Sequence, residues 1–157
     1  MEPLKSNELN SNLESKNAKL NNGNNSLKPS AAFVGASWMT LIIGMTSYCI
    51  GLYNSAMAYN EKGYYFTILL FGLFSVISVQ KSVRDRLEGI PVTDLYYSIS
   101  WFSTITSIVL LIIGLWNANM LLSEKGFFGM SFVLGLFSAL AVQKNTRDLK
   151  QFELANI

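Results

Sequence analysis

Few residues in this chain are of types that do chemistry. Its 157 residues include no histidine and one cysteine, Cys49. That composition rules out a Ser/His or Cys/His nucleophile pair, a Cys/His metal set and an intramolecular disulfide. What remains is a small group of polar side chains that occur twice. Asn54 in "GLYN" recurs as Asn117 in "GLWN", and Glu61-Lys62-Gly63 recurs as Glu124-Lys125-Gly126, each followed by two aromatics. "VQKSVRD" likewise recurs as "VQKNTRD", carrying Lys81 and Arg84 in one copy and Lys144 and Arg147 in the other.

Each pair has a chemical and a structural reading. Asn60 and Ser123 stand immediately before Glu61 and Glu124, and both types are strong helix N-caps. A Glu at the first helical position would then face the positive end of the helix dipole. Asn60, Glu61, Ser123 and Glu124 are therefore expected to be turn caps, with a ligand- or partner-facing Glu-Lys site as the functional alternative. If the preceding helices run on through "SAMAY" and "ANMLL", Asn54 and Asn117 fall inside their last two turns. An amide near hydrocarbon needs a partner, so these two are candidate polar interhelix contacts, contributing about 0.6–2 kcal/mol each, or else the lining of a pore. Lys81, Arg84, Lys144 and Arg147 are expected to anchor the chain at a cytoplasmic surface. Their segments carry fewer basic residues than the 4–8 of dedicated anionic-lipid clusters.

The elements that must position these residues are apolar. No Asp, Glu, Lys or Arg occurs in Pro29–Asn60, Gly63–Gln80, Leu95–Ser123 or Gly126–Gln143. Runs of about 17–25 apolar residues are what a helix needs to cross roughly 30 Å of hydrocarbon. Only 14% of residues are charged, well below the roughly 25% of soluble domains. Shifting the chain by 63 residues aligns Trp38 with Trp101 and Gly51 with Gly114, and sixteen of 35 positions from Gly51 to Asp85 are then identical. Identity at that level without a gap marks an internal duplication.

Each copy holds two apolar runs, so the fold expected is an all-α integral membrane protein. Its four transmembrane helices form two tandem parallel-repeat helical hairpins. Small residues four apart, Ala32, Ala36, Thr40 and Gly44 on the first helix and Ser131, Gly135 and Ala139 on the fourth, suit close helix contact. Gly89 and Pro91 end the second helix, and Thr93 or Asp94 can cap the third. All basic residues but Lys62 and Lys125 precede the first run, lie between the second and third, or follow the fourth. The positive-inside rule then puts the N and C termini in the cytoplasm.

The resulting division is a disordered Asn/Ser-rich leader (1–30), a first hairpin (31–87), a connection (88–93), a second hairpin (94–150) and a tail (151–157). The leader has too little apolar surface to offset its ordering entropy. No ionisable residue falls inside the four spans, which argues against ion-coupled transport. Net charge of +2 gives no reason to expect nucleic acid.

With the duplication laid out, "GLYNSAMAYNEKGYYF", "LFGLFSVISVQKSVRDRLEGIPVTDLYY" and "GLWNANMLLSEKGFFG…LGLFSALAVQKNTRD" resemble the YiaA/YiaB family of bacterial inner-membrane proteins. The likeness covers about Ala32–Asp148. It implies a four-span inner-membrane protein built from two copies of a two-helix domain, and it implies no activity. The expectation is thus a non-enzymatic protein acting through helix or partner contacts. The alternative is a small uncoupled channel or transporter formed by oligomerisation. No cofactor or metal is expected. The expected partners are the lipid bilayer and either a second copy or another membrane protein.

Overall fold

The computed structural model describes residues 29–155. Four helices follow in order: α1 (Ala31–Asn54), α2 (Tyr59–Leu87), α3 (Asp94–Asn117) and α4 (Leu122–Ala155). Each is long and apolar enough to cross a membrane. All but Pro29 and Ser30 of the expected leader lies outside the described residues. At the other end, α4 continues through residues 151–155, which were expected to be tail.

The chain divides into two compact units, one of Gly35–Gln143 and a smaller one made by the flanking segments. In the smaller unit the Ser30 hydroxyl accepts the Phe33 N–H at 3.2 Å, capping the first turn of α1. There too, Arg147 Nε donates to Asp148 Oδ1 at 3.0 Å.

In the larger unit the core is drawn from all four helices: Tyr48 and Leu52 of α1, Tyr65, Ile68, Leu69 and Val76 of α2, Leu111 of α3, and Phe128, Phe132 and Leu136 of α4. α2 and α4 dominate it. Their apolar stretches are 44% and 39% buried, against 17% for α1 and 22% for α3, so the outer faces of α1 and α3 are left to surrounding hydrocarbon.

Small residues set the spacing. A Cβ on Gly44 would stand 3.0 Å from the backbone nitrogen of Gly135 and 3.2 Å from its Cα. The small-residue patterns of α1 and α4 therefore meet each other at that point, backbone against backbone. Ala36, earlier in the same pattern, is exposed instead. Buried serines serve the same end. Ser75, Ser82 and Ser107 donate to carbonyls of their own helix, Gly72, Ser78 and Thr104, at 2.7–3.0 Å. Each hydroxyl is satisfied without a cross-helix partner, so the side chain behaves as a small packing unit.

The end of α2 forms as its sequence suggests. Gly89 adopts φ +73°, and the N–H groups of Gly89 and Ile90 return to the Arg86 and Asp85 carbonyls at 3.2 and 2.8 Å. Glycine enters that left-handed region without the Cβ penalty other residues meet. Thr93 occupies the N-cap of α3, though its side chain makes no capping bond. Asp94 instead pairs with Arg86, whose guanidinium also lies 4.0 Å from the centre of the Tyr97 ring.

Candidate functional site

The polar residues singled out in the sequence gather where α1 and α3 stop and α2 and α4 begin. The local geometry differs from expectation. α1 ends at Asn54 and α3 at Asn117, so neither helix runs on through "SAMAY" or "ANMLL". The N-cap of α2 is Ala58, in extended conformation, two residues before Asn60. The corresponding residue before α4 is Leu121. Asn60 and Ser123 are consequently second-position helical residues and not caps.

Capping passes to the glutamates at the third position. Glu61 Oε2 accepts the Ala58 N–H at 2.9 Å, and Glu124 Oε2 accepts the Leu121 N–H at 2.9 Å. A carboxylate reaching back from the third position satisfies an orphan donor, so no polar side chain is needed at the N-cap itself. An alanine and a leucine can sit there.

The adjoining lysines act on the helix before. Lys62 Nζ donates to the Tyr53 carbonyl at 2.9 Å, and Lys125 Nζ donates to the Trp116 carbonyl at 3.3 Å. An ammonium at a helix C-terminus complements the negative end of the dipole and satisfies an orphan carbonyl. Each Glu-Lys pair therefore fastens two successive helices, the Glu to the start of one and the Lys to the end of the other.

These turns line an open cavity of about 850 Å³. Its wall consists of the same nine positions from each copy, including Asn54 with Asn117, Asn60 with Ser123, Glu61 with Glu124, Tyr64 with Phe127 and Tyr65 with Phe128. The glycines Gly51 and Gly114 complete it and make room for aromatics of the other copy. A Cβ on Gly51 would stand 2.6 Å from Phe127 Cε1, and one on Gly114 would stand 2.8 Å from Tyr64 Cε1. The contacts are reciprocal, α1 with α4 and α3 with α2.

Beneath the polar rim lies an aromatic floor. Tyr65 and Phe128 stack with centroids 6.0 Å apart, and Tyr48 meets Phe128 edge-on at 5.3 Å. Tyr48, Leu69 and Phe132 below are at most 1% exposed. Two tyrosine hydroxyls bond to backbone: Tyr48 to the Tyr65 carbonyl at 3.1 Å, and Tyr64 to the Leu110 carbonyl at 2.8 Å. The Tyr65 hydroxyl does not. Its side chain is 3% exposed and lines the cavity, and no hydrogen bond to that hydroxyl occurs among the described residues.

Asn117 Nδ2 donates to the Ile113 carbonyl of its own helix at 2.8 Å. Both Asn54 and Asn117 are exposed to the cavity. Lys81, Arg84, Lys144 and Arg147 take no part in the site. Arg84 Nε donates to Asp85 Oδ1 at 2.9 Å, the same neighbour pairing as Arg147 with Asp148, while Lys81 and Lys144 are exposed. The glycines, the Tyr65 hydroxyl and the lysine contacts were not singled out from sequence. The repeated "GL(Y/W)N" was the available signal, since a glycine kept at one place in both copies points to a close approach.

The sequence model of one family, described as the yiaA/B two helix domain, matches the chain twice, over residues 33–85 and 96–148. The chain is similar to the inner membrane protein YiaA of Escherichia coli (strain K12), 56% identical over 119 residues that cover 76% of this chain and 82% of that protein. It is also similar to the uncharacterized membrane protein YubF of Bacillus subtilis (strain 168), 36% identical over 58 residues, 36% of this chain and 67% of that one. No solved structure matches it.

Proposed function

The chain belongs to the yiaA/B two-helix-domain family, and from that premise we propose that this multi-pass inner-membrane protein is a binding protein. Its cavity receives a ligand from the extracytoplasmic side, without catalysis and without conducting solute. The observation carrying this reading is the cavity itself, built from nine positions of each copy and closed beneath by buried aromatics. Pockets of about 300–1,000 Å³ with apolar walls and a few convergent polar groups are the usual form of small-molecule sites.

Orientation rests on charge. The end of α2 carries Lys81, Arg84 and Arg86 and the end of α4 carries Lys144, Arg147 and Lys150, against Lys62 and Lys125 beside the cavity. The positive-inside rule assigns both termini to the cytoplasm and the cavity to the outside. Equivalent positions of the two copies meeting at one end is the arrangement that two hairpins inserted in the same sense would produce, so the cavity favours parallel repeats. The absence of histidine and the position of Cys49, outside the cavity wall, favour a non-enzymatic role. The channel reading, with Asn54 and Asn117 on a polar path, has no support below the floor, where Tyr48, Leu69 and Phe132 are packed. Beyond the bilayer, the uncovered faces of α1 and α3 leave room for a second copy or another membrane protein, and the small net charge gives nucleic acid no role.

Two measurements test this. In a Cys49→Ser background, Tyr59→Cys should react with an impermeant thiol reagent applied outside intact cells; labelling only after the cytoplasmic side is opened would overturn the orientation. Purified protein in liposomes should pass ions and small solutes no faster than empty liposomes. Flux that Asn54→Leu plus Asn117→Leu abolishes would replace the binding reading with the channel one.

A further inference from the structure

The chemistry of the wall narrows what the cavity can hold, and we propose, resting on that binding reading, that its ligand is an organic ammonium ion with a small apolar body. The charges on the wall are two carboxylates, Glu61 and Glu124, and no lysine or arginine lines it. The adjacent Lys62 and Lys125 are turned away, held by the Tyr53 and Trp116 carbonyls. Two helix C-termini and two helix N-termini meet here, so their dipoles offset one another. The N-termini that might attract an anion are already covered by the two glutamates. The site is left net negative.

Three further features select an ammonium group. Each glutamate uses Oε2 for its cap, and Oε1 of each has no protein donor among the described residues. The Tyr65 hydroxyl, on a side chain that lines the cavity, has no protein partner among the described residues and is free to accept from a ligand. An N–H donor can bond to any of these oxygens. The floor beneath is Tyr64, Tyr65, Phe127 and Phe128, and aromatic faces attract organic cations through the ring quadrupole. A divalent metal suits this wall less well, because it prefers six or more hard oxygen ligands and no cluster of three His, Cys, Asp or Glu occurs among the described residues. The ammonium could belong to a soluble amine or to an ethanolamine lipid headgroup, which share this chemistry.

Isothermal titration of the full chain in dodecylmaltoside with butylammonium chloride, 1-butanol and magnesium chloride tests the inference. Butylammonium should bind saturably and at least tenfold more tightly than 1-butanol or magnesium. Glu61→Gln with Glu124→Gln should weaken it at least tenfold while the far-ultraviolet circular dichroism spectrum is retained, since glutamine can still accept the cap bond. Tyr65→Phe should weaken it two- to fivefold. Binding of 1-butanol within twofold of butylammonium, magnesium binding more tightly than either, no butylammonium binding at all, or indifference to the double glutamine change would each overturn the cation assignment. None of these touches the orientation and flux results on which the binding reading stands. Repeating the titration in nanodiscs with and without phosphatidylethanolamine separates the sources. Weaker butylammonium binding in the phosphatidylethanolamine discs assigns the ammonium to a headgroup, and equal binding assigns it to a soluble amine.

Discussion

Replacing Gly44 tests whether α1 and α4 meet backbone to backbone, the contact on which the core of the larger unit depends. Alanine is the better helix former by about 1 kcal/mol, so in open space Gly→Ala should stabilise. At Gly44 space is not open. The added Cβ would lie 3.0 Å from Gly135 N, 3.2 Å from Gly135 Cα and 3.4 Å from Leu134 C, inside the roughly 3.5–4.0 Å optimum for carbon contacts. Those neighbours are backbone and cannot swing aside, so the two helices must separate by a few tenths of an ångström. Overpacking of this kind costs about 1–3 kcal/mol, which outweighs the propensity gain. Gly44→Ala should therefore lose about 1 kcal/mol net, and Gly44→Leu about 3 kcal/mol or more. Gly63, in the first turns of α2, has nothing within 4 Å of its would-be Cβ and is the internal control. Gly63→Ala should gain about 0.5–1 kcal/mol. Reversible unfolding in mixed dodecylmaltoside and dodecyl sulfate, followed by far-ultraviolet circular dichroism, gives all three differences. Equal stabilisation by Gly44→Ala and Gly63→Ala would refute the α1–α4 contact.

The same assay reads the remaining predictions. Lys62→Met removes a charge-assisted bond from the end of α1 and should cost about 1–2 kcal/mol; no loss would mean that the Lys62–Tyr53 contact does not hold the turn. Tyr64→Phe deletes the hydroxyl bonded to the Leu110 carbonyl and should cost about 0.6 kcal/mol, a small loss in keeping with the Phe that stands at position 127 in the second copy. Gly89→Ala forces a Cβ into φ +73° and should cost about 1–2 kcal/mol; a neutral result would place the end of α2 elsewhere.

Much of this architecture is legible along the chain because it is local or repeated. Four charge-poor runs are enough to give four helices, since backbone polar groups in hydrocarbon must be satisfied within the segment. The duplication is visible as identity at a constant shift, and Gly89 as a glycine followed by proline where an apolar run has ended. The N-caps were misplaced for a local reason too. Asn60 and Ser123 are good capping types, but a third-position glutamate can do the same job, and sequence does not say which will win. The decision falls to contacts with the preceding helix, among them the Lys62 and Lys125 bonds to the Tyr53 and Trp116 carbonyls.

Contacts between residues far apart in the chain are a different matter, because they exist only once the helices pack. Gly44 meets Gly135, Gly51 makes room for Phe127, and Gly114 for Tyr64. Helical periodicity reports which face of one helix is small or apolar, and cannot report which other face it meets. Glu61 reads in sequence as a turn residue with an adequate local explanation, and Asn54 as an isolated amide in want of a partner. The reciprocal packing of two copies brings both pairs to one wall and turns Lys62 and Lys125 out of it, and that placement gives the cavity its negative charge.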